Sequence, residues 1–368
     1  MEPETSPDDL LLRLSLVEGF DARRLARLFH RNGASPPCGD GEGDAGQRAD
    51  REALTAAVSA ALAPEAGRRA ARVRAACARI GAAIVGIDSD DYPALLRAVP
   101  DAPLILYRIG HPGVTPASVA IVGSRAPTPP AADFARGLSA DLAASGWTVV
   151  SGMARGIDGA AHDGALKGGG RTVAVLGSGV DVVYPAEARR LRDRILASGT
   201  LLSEYPPGTR PLPWHFPARN RVISGLSRGV VVVEAASRSG ALITAGCALD
   251  QGREVMAVPG NPLFPHTEGS NRLLRDGAVL VAGVGDVLMA LGWRGSGEGR
   301  PPREEGPLTG SGSRERDILR FLATERHVND LAEGLGIPVP ELLPCLLDME
   351  LRKLLERRAG DYYKKLSI

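Results

Sequence analysis

The stretch TVVSGMARGIDGAAHDGALKGGGRTVAVL, residues 148–176, decides the fold. It opens on one short apolar run, 148–151, and closes on another, 172–176. Neither alternates apolar with polar, which is the pattern of a strand covered on both faces in a parallel sheet. Between them stand a glycine-rich turn and a run at helical spacing, long enough to cross back over the sheet. The unit is strand, crossover helix, strand. Similar apolar runs stand at 119–122, 201–204, 230–233, 255–258 and 279–281, each ending in Gly, Ser or another small residue before a helical run. The expected class is therefore α/β, a doubly wound, Rossmann-like and mostly parallel sheet. Ligands of such sheets bind beyond the carboxyl ends of the strands, so the loops there carry the function.

Upstream the pattern is helical. Residues 10–31 read as two short helices around Glu18-Gly19, and 33–50 as a Gly/Asp/Pro loop. Residues 51–80 form an Ala/Arg-rich helical stretch. A short strand, AIVGI, and the run PLILYRIG follow within 83–110. The expected division is a small helical module over 1–82 and the sheet domain over 83–293. Downstream, RGSGEGRPPREEGPLTGSGS at 294–313 reads as a flexible linker. Residues 314–368 promise three helices and a hairpin, which suggests a winged helix.

Composition excludes several classes. No run of 18 apolar residues exists, so nothing is expected to span a membrane. The acidic MEPETSPDDL does not resemble a secretory signal, and the cytoplasm is the expected compartment. The four cysteines are scattered without Cys-x-x-Cys, and the six histidines lack metal spacing. No metal and no cofactor are expected. Net charge is +1 overall, split as −2 over 1–110, +3 over 111–293 and 0 over 294–368. Any nucleic-acid contact must come from a local patch rather than a polycationic segment. Lys167, Lys353, Lys364 and Lys365 are the only lysines among 44 basic residues. Genome base composition could cause this bias, but arginine is also the fork-shaped phosphate ligand.

The standard enzyme motifs fail on inspection. No Walker loop is present, and Gly177-Ser178-Gly179 lacks the third glycine of the dinucleotide fingerprint. Gly225-Leu-Ser227-Arg-Gly229 spells a nucleophile elbow, but that motif runs strand, turn, helix, and here a helix precedes and a strand follows. What remains is a set of anion-friendly loops. Gly123-Ser124-Arg125 follows one strand and offers a tight turn, a hydroxyl and a charged fork. Gly152, Arg155 and Gly156 follow the next strand, with Asp158 either capping the helix or touching a ligand. On that helix His162 reads as a packing residue, whereas Lys167 is open between a solvated charge and a contact. Phe216-Pro-Ala-Arg219-Asn220-Arg221 combines arginine for phosphate with an aromatic for base stacking, the ingredients of single-strand binding. Glu234-Ala-Ala-Ser237-Arg238-Ser239-Gly240 places Ser239 and Gly240 at a helix start, a good anion cradle.

Together these segments resemble the DNA-processing protein A family (DprA/Smf). The resemblance rests on VGSR at 122–125, SGMARGIDGAAH at 151–162, TVAVLGSGVDVVYP at 172–185, FPARNRVISGLS at 216–227, VVVEAASRSGALITA at 231–245 and VPGNP at 258–262. It implies an extended Rossmann domain, a sterile-alpha-motif or helix-hairpin-helix-like N-terminal module and a C-terminal winged helix. It also implies a homodimeric binding protein, not an enzyme, that coats single-stranded DNA and loads the RecA recombinase onto it during natural transformation. The expected DNA contacts are Gly123, Ser124, Arg125, Gly152, Arg155, Gly156, Lys167, Phe216, Arg219, Asn220, Arg221, Ser239 and Gly240. Two rivals stand beside it. One is a phosphoribohydrolase of the same fold with Glu234 as catalytic carboxylate. The other is a regulator that reads duplex DNA through the winged helix, against which the helix PELLPCLLD at 340–348 is apolar and acidic.

Overall fold

The computed structural model describes residues 7–17, 45–112 and 114–293, and in the C-terminal part 318, 321–322, 326–351, 354–358 and 362–365. Residues up to 294 form one compact unit and 295–368 a second. Among the described residues no helix is long and apolar enough to cross a membrane.

The first unit is built on a nine-stranded sheet. Its strands are β1 (Ala83–Gly86), β2 (Ile105–Gly110), β3 (Ser118–Val122), β4 (Thr148–Ser151), β5 (Thr172–Leu176), β6 (Thr200–Ser203), β7 (Gly229–Val232), β8 (Glu254–Ala257) and β9 (Val279–Leu280). Their spatial order is β1-β2-β6-β5-β4-β3-β7-β8-β9. All neighbours from β6 to β9 are parallel, while β1 and β2 add an antiparallel edge beside β6. The chain winds outward from β3 in both directions, so the strand order reverses between β3 and β7. That is the switch point of a doubly wound sheet, where a crevice opens above the carboxyl ends.

Burial explains why these runs are uniformly apolar. Side chains alternate across a strand. Val119 and Ile121 therefore join one buried layer with Leu138, Leu142 and Ile157, while Ala120 and Val122 join the opposite layer. Both faces of β3 are dry, so polar alternation would bury unpaired groups. The helices start where the sequence permits. Thr128 caps Pro129–Ala144 by accepting from the Ala131 N–H, with proline in the first turn. Ser239 caps Gly240–Asp250 by accepting from Ala241 N–H.

The N-terminal helices pack against the sheet. Leu11, Leu12, Leu14, Ala57, Ala61 and Cys77 lie in the same buried cluster as Leu106, Val122, Val175 and Val232. They cover one face of the sheet and belong to its core. Helical periodicity shows that a face is apolar but not what buries it. The helical stretch expected over 51–80 is two helices, Ala45–Leu62 and Pro64–Ile80. Its second half carries proline at the start and ends on Gly81 in the left-handed region. The helix expected after Glu18-Gly19 and the linker expected at 294–313 lie outside the described residues.

The second unit has helices Val328–Leu335 and Val339–Leu351 and a three-stranded antiparallel sheet. The strands are β10 (Arg326–His327), β11 (Leu355–Arg358) and β12 (Tyr362–Lys365), with β12 in the middle. Its small core gathers Ile318, Leu322, Leu331, Leu342, Leu346, Met349 and Tyr363. Helices packed on such a wing form a winged helix.

Candidate nucleic-acid interface

The loops after β3, β4 and β7 meet at the switch point. They enclose a cleft of ≈ 570 Å³ lined by Gly123, Ser124, Arg125, Ala154, Asp158, Phe216, Arg219, Asn220, Arg238, Ser239, Gly240 and Thr244, among others. The helix starting at Gly240 presents its first turn to this space, and that at Ile157 does so through Asp158. The positive end of each helix dipole makes such a place favourable for an anion. A second cleft of ≈ 600 Å³ adjoins it, lined by Gly152, Met153, Arg155, Val183, Tyr184, Pro185 and Glu187. Arg125, Phe216 and Arg219 line both clefts.

Phe216 sits between the two spaces. The Arg125 guanidinium lies 5.8 Å from its ring centroid and Arg219 6.0 Å. Tyr184 lies 5.4 Å away with the rings tilted at 39°. The sequence supplies this arrangement from two distant loops and the helix His215–Gly225. Arg125 is exposed and makes no ion pair among the described residues. Arg238 is likewise exposed, without an ion-pair partner among the described residues, and points a third cation at the first cleft. Arg238 lies outside the DNA contacts expected from the sequence, which include only its neighbours Ser239 and Gly240. Its position between two serines at a helix start was the available signal. Tyr184 also lies outside the expected set, since nothing in the chain shows that it meets Phe216.

Arg219 is a buried member of the site, 4% exposed. It donates from Nη1 to the Val175 carbonyl at 2.8 Å, while its Nε has no partner among the described residues. Burial lowers its pKa to about 10, which still leaves it charged at neutral pH. Asp158 is its buried counterpart, and burial pushes that carboxyl above its usual range. The Asp158 carboxylate accepts from the Gly152 and Ala154 N–H groups at 3.1 and 3.3 Å, which fixes the loop after β4. Gly152 is required here. A Cβ on it would stand 1.7 Å from Arg219 Nη1 and 2.8 Å from Asp158 Oδ2. Gly156, at φ +78, packs on the Ser124 carbonyl, and Ile157 N–H donates to that oxygen at 3.0 Å. Gly156 thus joins the loops after β3 and β4 rather than lining either cleft.

Two further expected contacts, besides Gly156, stand away from the clefts. Arg221 is turned away from both clefts and buried, its side chain 6% exposed. It pairs with Glu204 at 2.7 Å and Asp101 at 3.2 Å. Burial opposes its charge, but the two carboxylates outweigh that and raise its pKa above the usual value. Neighbouring positions on a helix face different ways, and Arg219 and Arg221 are 200° apart at about 100° per residue. Lys167 ends the helix whose start faces the cleft, roughly 15 Å along the axis from Ile157. It pairs with Asp163 at 2.9 Å and lines neither cleft.

The residues of the enzyme reading are also committed. Glu234 is 3% exposed, and its carboxylate accepts from the Thr128 N–H and from Thr128 Oγ1 at 2.7 Å. It tethers the loop after β3 and lines neither cleft. Ser227 is fully buried, and its Oγ donates to the Ile223 carbonyl at 3.0 Å. His162 meets Thr172 Oγ1 through Nδ1 at 2.7 Å, and Thr172 spends its own proton on the Val149 carbonyl. The imidazole is therefore the Nδ1–H tautomer, and burial lowers its pKa to about 3. Among the described residues no group of three or more His, Cys, Asp or Glu could hold a metal ion.

The family model for "DNA recombination-mediator protein A" matches residues 83–292, more than half of the chain. The chain belongs to the DprA family. A model for the DprA winged helix domain matches residues 301–361. Protein Smf of Synechocystis is 44% identical over 211 residues, covering 56% of this chain and 53% of that protein. The chain thus matches about half the length of that relative. The crystal structure of DprA from Streptococcus pneumoniae superposes with a TM-score of 0.62 at 34% identity, covering 77% of this chain and 98% of that one. DprA from Helicobacter pylori, solved in a study of its single-stranded DNA binding mode, gives 0.52 at 29% identity over 57% of this chain and 95% of that one.

Proposed function

We propose that the DprA-family chain binds single-stranded DNA without sequence preference at the switch-point clefts and passes it to the RecA recombinase during DNA uptake. The observation that carries the reading is the Phe216 ring, flanked by Arg125 and Arg219 where two clefts and the start of the helix at Gly240 meet. Phosphates would take Arg125, Arg238 and the Gly240 amide at the helix start, and an unstacked base would lie on Phe216 or Tyr184. Every base has a π-face, so stacking tolerates sequence. A duplex keeps its bases inside and has nothing to offer the ring. The recombinase step is supported by the family's description as a recombination mediator. Self-association is supported by exposed apolar side chains following β8: Leu263, Phe264, Leu280 and Met289, the third on edge strand β9. Cytoplasmic work on incoming strands fits this reading.

A fluorescence-anisotropy titration with labelled oligo(dT), a mixed-sequence strand and the matched duplex at two salt concentrations tests it. Similar affinity for both single strands and much weaker binding of duplex is the expected result. Equal affinity for duplex would overturn the reading in favour of the winged-helix regulator.

A further inference from the structure

The second cleft holds three arginines but only one carboxylate among its lining residues, Glu187. Arg125 is unpaired among the described residues, and Arg219 is buried in the wall. Arg155 is different. It is exposed on the cleft rim, and its Nη2 donates to Glu187 Oε1 at 2.7 Å. Both side chains are about two-thirds exposed, 66% and 67%. The pair links the loop after β4 to the short helical turn Ala186–Ala188, and neither partner packs into the core. An exposed pair of this kind contributes little to folding. Its place on the rim of a cationic cleft gives it another consequence. A phosphate approaching Arg155 finds the guanidinium already holding an oxyanion.

We propose that Glu187 is an internal competitor for DNA phosphate: its carboxylate occupies Arg155 on the rim of the second cleft, and a bound strand must displace it. The inference rests on the single-strand reading above. The Arg155–Glu187 pair presents no net charge to the strand, so it neutralises no phosphate and adds nothing to the salt dependence while Glu187 is present. Glu187 thereby sets the affinity below what the arginines alone would give. It keeps the strand exchangeable, as a protein that hands DNA onward requires.

Glu187→Gln keeps the side-chain shape and removes the charge. If Arg155 then takes a phosphate with counterion release, the slope of log K against log salt steepens by roughly 0.7, the single-strand value. For a gain that vanishes near 1 M salt, that slope means about eightfold tighter binding at 50 mM and about threefold at 200 mM. The control is Arg155→Ala, alone and combined with Glu187→Gln. Oligo(dT) is titrated with the full chain and the three variants at several salt concentrations, with melting temperatures taken alongside. The expected result is a gain for Glu187→Gln that disappears in the Arg155→Ala background. Unchanged affinity for Glu187→Gln would overturn the inference while leaving the single-strand reading intact. A gain that persists without Arg155 would overturn it too, since that is general relief of repulsion. Absence of oligo(dT) binding by the unaltered chain would overturn the parent reading and this inference with it.

Discussion

Arg221→Ala is the sharpest test of how the site is built. Arg221 looks like a DNA contact in the sequence and is a buried ion-pair partner in the structure. Its side chain is 6% exposed, and Glu204 beside it is 12% exposed. Truncation leaves the Glu204 carboxylate in the protein interior with no countercharge, while Asp101, at 28%, can hydrate. Breaking a buried pair from one side costs about 3–5 kcal/mol. A unit of this size shifts its melting temperature by about 2–4 °C per kcal/mol, so a fall of roughly 6–20 °C is expected. Arg221→Met combined with Glu204→Gln should recover much of that loss, because no charge is left stranded. Differential scanning fluorimetry reads both. Oligo(dT) affinity, measured well below the lowered transition, should remain within about threefold of the parent, since Arg221 reaches neither cleft. A melting temperature within about 2 °C of the parent together with a tenfold loss of affinity would refute this reasoning and restore Arg221 to the DNA path.

Arg125→Ala should do the reverse, leaving the melting temperature unchanged and weakening oligo(dT) binding about ten- to a hundred-and-fiftyfold, the equivalent of one charge-assisted contact of roughly 1.5–3 kcal/mol. Its log K against log salt should become shallower by about 0.7, and an unchanged slope would place the loop after β3 off the DNA path. His162 should make stability pH-dependent. Its folded pKa of about 3 lies below the ordinary value of 6.5, so the unfolded chain binds the proton first. The stability it supports is complete above pH 6.5 and is lost progressively as pH falls toward 3. Urea unfolding of the parent and His162→Gln across that range should differ in slope, and parallel curves would show that the imidazole is not buried neutral.

The α/β class was legible in the sequence because parallel strands covered on both faces are apolar apart from small hydroxyls bonded within the sheet, as Ser151 and Thr172 are. Val119–Val122 and Thr172–Leu176 announce themselves without any tertiary information. The loops were legible for a related reason: a doubly wound sheet places its ligand at the strands' carboxyl ends, so Gly123-Ser124-Arg125 and Ser239-Gly240 had to be near one another. Which side chains share the cleft was decided only by packing. Arg219 and Arg221 are indistinguishable as letters, yet the helical rotation between them sends one into the cleft wall and the other into a buried pair with Glu204 and Asp101. Tyr184 and Phe216 lie 32 positions apart and meet only because β5 and the helix His215–Gly225 are neighbours in space. Glu187, unremarkable in the chain, gains its role from standing opposite Arg155. The N-terminal helices showed their apolar faces in the sequence, but only the antiparallel edge formed by β1 and β2 determined that those faces close over the same core as the sheet. Periodicity records that a face is buried, and the partner that buries it is set by three-dimensional contacts between residues far apart along the chain.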